Sequence, residues 1–128
     1  MWVYRITLMN IEELREYCVS KKGVTESFPF DKETLVFKVM GKMFALCGLE
    51  HHPFQVNLKC DPERSIILRE EYETSIMGAY HMNKKHWNSV VPNTSFTDKL
   101  FCELIDHSYE LVVKGMTKKL RHELYALS

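Results

Sequence analysis

The chain has 128 residues, of which 45% are hydrophobic and 27% are charged, as expected for one globular domain with its own core. Its 17 basic and 17 acidic residues balance, which excludes a strong overall attraction to nucleic acid or an anionic membrane and leaves only a local basic face. The cysteines lack a C-x-x-C pair, so we expect buried thiols in a reducing compartment and no disulfide scaffold. They are Cys18, Cys47, Cys60 and Cys102.

The distribution of apolar residues argues against a membrane location. Lys38 and Lys42 interrupt the most hydrophobic region, so no apolar run approaches the ~18 residues of a membrane span. The start, MWVYRITLM, is shorter than a signal peptide with its cleavage site. We therefore expect a cytoplasmic protein with one domain over 1–128. Because Met9-Asn10 resembles a second start, residues 1–9 are predicted to be an N-terminal extension.

The first predicted element is a helix that begins after Asn10. Asparagine is a good N-cap, and Glu12 and Glu13 follow in the first turn, where the helix dipole favours acidic side chains. Gly23 is predicted to end this helix. Its apolar stripe comprises Ile11, Leu14 and Cys18.

A hairpin is predicted next, because the apolar period changes to two in TLVFKVMGKMFALCG. Glycine at the first turn position favours a type II′ turn at Gly41-Lys42. That turn would pair Val39 with Phe44 and would put one set of side chains on the core face. This set is Leu35, Phe37, Val39, Phe44 and Leu46.

The segment QVNLKC is predicted to be a third strand, with Val56, Leu58 and Cys60 facing inward. Asp61 and Pro62 then have the residue types of an N-cap and a first helical position, and the helix is expected to run to about Tyr72. SIMGAY and HWNSVV are predicted to be weaker strands.

A long helix is predicted from the capping-box spacing of Ser95 and Asp98, with Gly115 at its end. A short basic helix, TKKLRHELYAL, follows. The order α-β-β-β-α-β-β-α predicts an α+β two-layer sandwich, an antiparallel sheet of about five strands with helices on one face. The expected buried stripe of the long helix is Leu100, Leu104, Ser108, Leu111 and Val112.

Catalysis and metal binding find little support in the sequence. The pair His81 and His86 has a spacing that fits neither a helix face nor a strand face, and HExxH, GxSxG and a glycine-rich phosphate loop are absent. Cys60 stands beside Lys59, which can lower a thiol pKa, but its side chain is predicted to face inward. We expect no metal, no cofactor and no enzymatic activity.

Two regions could contact a ligand. Lys38, Asn57 and Lys59 project from the sheet face away from the core, either to bind phosphates or as an ordinary solvated face. The stretch GAYHMNKKHWNSV has the basic and aromatic residues of single-strand binding sites. It equally fits a hairpin whose tryptophan packs inward. The basic run of Lys114, Lys118, Lys119 and Arg121 is a further candidate patch.

Several blocks together resemble the MmcQ/YjbR family of small bacterial proteins. They are NIEELREYC, GVTESFPFDKETLVFKVMGKMFAL, VNLKCDPE, LREEY, YHMNKKHWNSV and LIDHSYELVV, and the match runs from about Asn10 to Arg121. The chain departs from the family pattern at Gly78-Ala79-Tyr80, which suggests one inserted residue. The resemblance implies a compact fold similar to secretion-chaperone and CyaY-like folds, and a DNA-binding role through a double-wing arrangement. The motif residues carried over are His81, Asn83, Lys84, His86 and Trp87, with Asn57, Lys59 and Asp61.

The leading hypothesis from the sequence is a non-enzymatic protein that binds DNA weakly and without sequence specificity. Its expected contacts are Lys38, Lys42, Asn57, Lys59, His81, Asn83, Lys84, Lys85, His86 and Trp87. The alternative is a protein-interaction or small-ligand-binding module without a nucleic-acid role, with a protein partner or a homodimer. Val36, Met40 and Met43 are its candidate exposed apolar residues on the second sheet face. An enzyme pocket lined by Tyr80, His81 and His86 is a third alternative.

Overall fold

A computed structural model describes residues 9–80, 82–92 and 96–127. Within these residues four helices and one six-stranded antiparallel sheet confirm the α+β class. No helix of this part of the chain has the length and apolar character needed to cross a membrane. The elements are α1 (Ile11–Val19), β1 (Val24–Ser27), β2 (Thr34–Val39), β3 (Lys42–Gly48), β4 (Val56–Lys59), α2 (Pro62–Glu71), β5 (Ile76–Gly78), β6 (Trp87–Val90), α3 (Asp98–Lys114) and α4 (Lys118–Tyr125).

The main core lies between the helices and one face of the sheet, whose strand order is β1-β2-β3-β4-β6-β5. All four helices contribute buried side chains to it, which confirms the predicted two layers. Ser108 of α3 is a buried polar link, because its hydroxyl donates to the Phe44 carbonyl at 2.5 Å and accepts from the Lys59 amide at 2.9 Å. The helical contributions include Leu14, Leu68, Phe101 and Leu124.

The first helix begins as predicted and ends earlier. Asn10 accepts from the Glu13 amide at 2.9 Å, and the Glu13 carboxylate accepts from the Asn10 amide at 3.3 Å, which forms a complete capping box. The helix ends at Val19 and not at Gly23, which lies in the following turn with a φ of 76°. A strand that the sequence analysis did not predict, β1, starts directly after this turn.

Strand β1 escaped prediction because three residues of its sequence VTES are polar. Glu26 pairs with Phe37 in the sheet register, so it points toward the helices, where the Arg15 guanidinium binds it at 2.7 Å. The Arg15 hydrogen bond lowers the Glu26 carboxyl pKa. A charge that points inward from an edge strand also disfavours pairing with another chain.

The β2–β3 hairpin turns one residue earlier than predicted. The turn residues are Met40 and Gly41, with φ of 50° and 81°, and Val39 pairs with Lys42. Positive φ at both central positions is the requirement of a type I′ turn, which matches the strand twist. The predicted Gly41-Lys42 turn is therefore wrong, because methionine adopts the strained position next to glycine. Met40 packs against the main core and not on the second face.

A β-bulge follows this turn and changes which side chains of β3 face the core. Lys38 pairs with Met43 and Phe37 pairs with Ala45, so Phe44 is an extra residue between them. Phe44 and Ala45 both enter the main core. Leu46, predicted to face the core, lies on the opposite face, which we call the open face.

The third predicted strand and the helix after it are confirmed. Val56, Leu58 and Cys60 point into the main core. Asp61 accepts from the Arg64 amide at 3.1 Å as the N-cap of α2, and Pro62 is its first residue.

Helix α3 begins at a different cap from the predicted one. Thr97 accepts from the Leu100 amide at 3.2 Å, whereas Ser95 lies outside the described residues. Of the five residues predicted for the buried stripe, three are buried and two, Leu100 and Leu111, are half-buried at its edge. The buried residues are Phe101, Leu104, Ile105, Ser108, Val112 and Val113.

We predict that Ser108→Ala lowers the free energy of unfolding by about 1–3 kcal/mol, because a buried amide and a buried carbonyl lose their shared partner. Urea denaturation measures the change. The matched control is Ser27→Ala on β1, where the side chain is exposed and the expected change is below about 0.5 kcal/mol. Equal changes for the two variants would contradict a stabilising role of the Ser108 hydroxyl.

Candidate functional site

The open face of the sheet is organised around one row of side chains that crosses all six strands. Successive register pairs connect Ser27 with Val36, Val36 with Leu46, Leu46 with Asn57, Asn57 with Ser89 and Ser89 with Met77. We call this set the central row. The Ser89 hydroxyl donates to the Asn57 Oδ1 atom at 2.8 Å. The central row therefore combines apolar side chains with the side-chain amide of Asn57, which is hydrogen-bonded to Ser89.

The predicted lysines lie toward one end of the sheet. Lys38 and Lys59 each follow the central row by two residues on the open face, and β2 and β4 run in the same direction. Lys42 begins β3 at the same end but on the helix side of the sheet, because its register partner Val39 faces the main core. The loop between β5 and β6 also lies here, since Trp87 pairs with Lys59. Its lysines, Lys84 and Lys85, are exposed. We call this region the lysine end.

An apolar groove of about 390 Å³ begins at the opposite end of the open face and extends across the central row to Met43 and Met82. Its rim includes Thr34, Gly48 and Gln55, each two residues from the central row on the side away from the lysines. Among the described residues that line it, none is Lys, Arg, Asp or Glu. Its main contact surfaces are Phe30, Met43, Leu46, His51, Asn57 and Met82.

Two loops shape the groove from the rim. Asp31 accepts from the amides of Glu33 and Thr34 at 2.8 and 2.7 Å, and these bonds lower the pKa of its carboxyl. The Asp31 turn presents Phe30 beside the groove with 66% of its surface exposed. On the other loop, the His51 Nδ1 atom lies 2.8 Å from the Pro53 carbonyl and must donate to it.

The loop between β5 and β6, which we call the signature loop, is described at residues 79–80 and 82–86 and contains a compact turn around Asn83. The Asn83 Oδ1 atom accepts from the Lys85 amide at 3.0 Å, and its carbonyl accepts from the amides of His86 and Trp87 at 3.0 and 2.9 Å. Ala79 donates to the Trp87 carbonyl at 3.0 Å. The hydrogen bonds of Asn83 therefore stabilise the turn itself.

Arg69 of α2 binds the signature loop from the helix side. Its Nε atom donates to the Asn88 Oδ1 atom at 2.8 Å, and its Nη2 atom donates to the carbonyls of Lys84 and Trp87. The Asn88 amide in turn donates to the Ser65 hydroxyl at 3.1 Å. Gly78 permits this approach, because an added Cβ would lie 3.3 Å from the Lys84 Cβ and 3.5 Å from the Arg69 Cζ.

The Trp87 side chain packs on the open face of the sheet and is largely shielded from solvent. Only 9% of its surface is exposed, and it forms a second hydrophobic cluster with Val36, Leu46 and Ala79. Met82 packs on this cluster and accepts a weak hydrogen bond at its sulfur from the Asn57 Nδ2 atom at 3.7 Å. Val36, expected to be an exposed apolar residue, is fully buried within this cluster. Base stacking by Trp87 would require it to leave the cluster.

The remaining predicted residues do not assemble a catalytic pocket in the described part of the chain. Tyr80 is 78% exposed, and its ring lies 5.6 Å from the Lys84 Nζ atom. The carbonyl of half-buried His86 accepts from the Cys60 amide at 2.8 Å, and His81 lies outside the described residues.

Burial also determines the chemistry of the cysteines near the site. It raises the pKa of the Cys60 thiol, and it raises that of Cys47, which lines the groove, to about 12. Both groups therefore remain protonated at neutral pH and are poor nucleophiles. Among the described residues, no three His, Cys, Asp or Glu side chains gather as metal ligands would.

The sequence analysis named Asn57 and Met43 among its candidates, but it missed other residues that build the groove and the residue that clamps its loop. Arg69 lies one helical turn after Ser65, and this polar pair on one face of α2 was the only local sign of a contact with Asn88. Nothing local connects Met82 with Asn57, because 25 residues separate them. Phe30 and His51 come from loops whose positions depend on the folded sheet.

We predict that Arg69→Met opens the signature loop, because two carbonyls and the Asn88 amide lose a charged donor. The expected loss in the free energy of unfolding is about 1–3 kcal/mol. Hydrogen exchange should accelerate at the amides of Ala79 and Trp87. Arg64→Met on the same helix is the matched control and should leave both amides protected. Unchanged exchange in the Arg69 variant would refute the clamp.

Comparisons with known proteins identify the family of the chain. The YjbR family model matches residues 19–111. The chain is 45% identical over 93 residues to the Escherichia coli O157:H7 protein YbdF, covering 72% of this chain and 75% of YbdF. It is 32% identical to YjbR of E. coli K12 over 120 residues, covering 93% of this chain and all of YjbR.

Solved structures agree with this relationship. The crystal structure of Deinococcus radiodurans protein DR2400 superposes with a TM-score of 0.84 at 42% identity and covers 93% of this chain and 88% of that one. A Pseudomonas syringae protein gives a TM-score of 0.65 at 28% identity, with 80% and 98% covered. The chain belongs to the YjbR family.

Proposed function

We propose that this protein is a non-enzymatic binding module whose ligand site is the groove on the open face. One observation carries the proposal: an apolar groove of about 390 Å³, with no Lys, Arg, Asp or Glu among its described lining residues, lies on the sheet face opposite the main core. Small-molecule sites typically have about 300–1,000 Å³, apolar walls and a few directed polar groups. The groove has all three properties, with Asn57 as a directed polar group in its lining.

The walls of the groove are suited to a ligand that varies in shape. Met43 and Met82 are both half-buried and both line the groove. Methionine side chains are flexible and polarisable, and they adapt to irregular apolar partners. Beneath them, Leu46 belongs to the cluster around Trp87, which gives the groove a packed base. In this proposal the signature loop has an architectural role as a wall of the site.

We predict that Met43→Trp blocks this site, because the larger side chain fills the groove. The probe is the uncharged dye Nile red, whose fluorescence rises in an apolar environment. Wild type should enhance the fluorescence, and Met43→Trp should abolish most of the enhancement. Met77→Trp is the matched control, because Met77 lies in the central row without lining the groove. Equal enhancement by the two variants would exclude the groove as the binding site.

A second candidate function is weak contact with nucleic-acid backbone, and the lysine end favours it. Five lysines from two strands, a hairpin and the signature loop lie toward the same end of the sheet. Because Trp87 is buried, this binding would depend on charge, and stacking would contribute little. The apolar groove would be left without a role, so we rank this candidate second.

We predict for this candidate that Lys84→Ala/Lys85→Ala weakens binding to labelled duplex DNA and lowers the slope of log K against log salt by ~1.8, at ~0.9 per phosphate. Fluorescence anisotropy at several salt concentrations measures both quantities. The matched control is Lys32→Ala/Lys99→Ala, two exposed lysines outside the candidate patches, which should leave both quantities unchanged. If wild type and the Lys84/Lys85 variant bind equally poorly, nucleic-acid binding through the signature loop is refuted.

A further inference from the structure

We infer that the groove selects a small uncharged molecule with an oxygen acceptor, such as a ketone or amide carbonyl, and that Asn57 is the residue that recognises this oxygen. This inference rests on the groove being the ligand site. It adds the chemical class of the ligand and assigns Asn57 a role as the specificity-determining donor.

The orientation of the Asn57 amide follows from its two neighbours. The Ser89 hydroxyl donates to Oδ1 at 2.8 Å, and the Met82 sulfur lies 3.7 Å from Nδ2. A thioether has lone pairs and no proton to donate, so the amide side that faces Met82 must be the N–H side. The Ser89 hydroxyl, which can donate or accept, is satisfied in this orientation, in which the amide donor faces the Met82 side chain that lines the groove.

The Asn57 Nδ2 group donates to a weak acceptor, the Met82 sulfur, at a position where a stronger acceptor would fit. Sulfur is a weak hydrogen-bond acceptor, and the Met82 side chain has three rotatable bonds that let it move aside. A carbonyl oxygen in its place would accept a stronger bond in an environment of low polarity. Met82 thus acts as a replaceable cover for the Asn57 donor.

The scarcity of charged side chains in the groove lining disfavours ionic ligands. Among the described lining residues, no Lys or Arg is present to pair with a carboxylate or phosphate, and no Asp or Glu to pair with an ammonium group. An ion that leaves water without a partner loses several kcal/mol. An uncharged carbonyl needs one donor, which Asn57 supplies. The same reasoning separates this ligand from the phosphates expected at the lysine end.

The test compares three probes of similar size by nuclear magnetic resonance titration: acetophenone, ethylbenzene without the oxygen, and benzoate with a charge. We expect acetophenone and ethylbenzene to shift groove resonances, and only acetophenone to shift the side-chain amide of Asn57. Asn57→Leu should weaken acetophenone by ~2- to 10-fold, the range of one hydrogen bond, without weakening ethylbenzene. Benzoate should bind more weakly than acetophenone.

Asn57→Leu leaves the Ser89 hydroxyl without its acceptor, which can destabilise the fold. A second pair of variants controls for this effect. Ser89→Ala and Ser89→Ala/Asn57→Leu both lack this hydroxyl, so their difference reports the amide alone. If both uncharged probes bind and the loss of Asn57 affects them equally, the assignment to Asn57 is overturned while the groove remains a binding site. Tighter binding of benzoate overturns the uncharged class. If no probe shifts groove resonances, the proposed function fails as well.

Discussion

One extra residue in β3 controls what both faces of the sheet present. Phe44 has no register partner, so the bulge directs Phe44 and Ala45 together into the helix-covered core. Because side chains alternate along a strand, the insertion moves Leu46 to the open face. Leu46 then joins the central row beside Asn57 and forms part of the groove. Without the bulge, this leucine would point into the core and the groove would lose part of its apolar surface.

The two faces of the sheet are stabilised in different ways. The helix side is held by apolar packing that all four helices share, with Ser108 as a buried polar bridge between α3 and the strands. The open side has a smaller cluster around Trp87, and it depends on polar bonds that anchor a loop. Arg69 connects these layers, because it extends from α2 to the backbone of the signature loop. The shape of the groove therefore depends on a helix that does not line it.

The open face also separates two kinds of surface along the strands. Lysines lie toward the end where β2 and β4 finish, whereas the groove begins at the end where they start and crosses the central row to Met43, the register partner of Lys38. Met82 also lines the groove, and it extends from the signature loop to Asn57 of the central row. The same face therefore carries features of a nucleic-acid contact and of an apolar ligand site. The two surfaces adjoin at Met43 and Met82, and the groove is the concave one.

Local chemistry by itself determined the starts of α1 and α2 and the alternation of β4. The Asn10 and Asp61 caps involve residues three apart, so they could be predicted from the sequence. The same local reasoning failed at the β2–β3 hairpin. The position of Gly41 predicted a turn at Gly41-Lys42, whereas the turn lies one residue earlier, at Met40-Gly41.

Only the tertiary structure decided the register of β3, the burial of Trp87 and the meeting of Met82 with Asn57. These features depend on contacts between residues that are distant in the chain. Local sequence preferences do not determine which of the possible distant residues will be in contact. The sequence thus identified the family and the signature loop, whereas the folded sheet determined that this loop forms a wall of a groove.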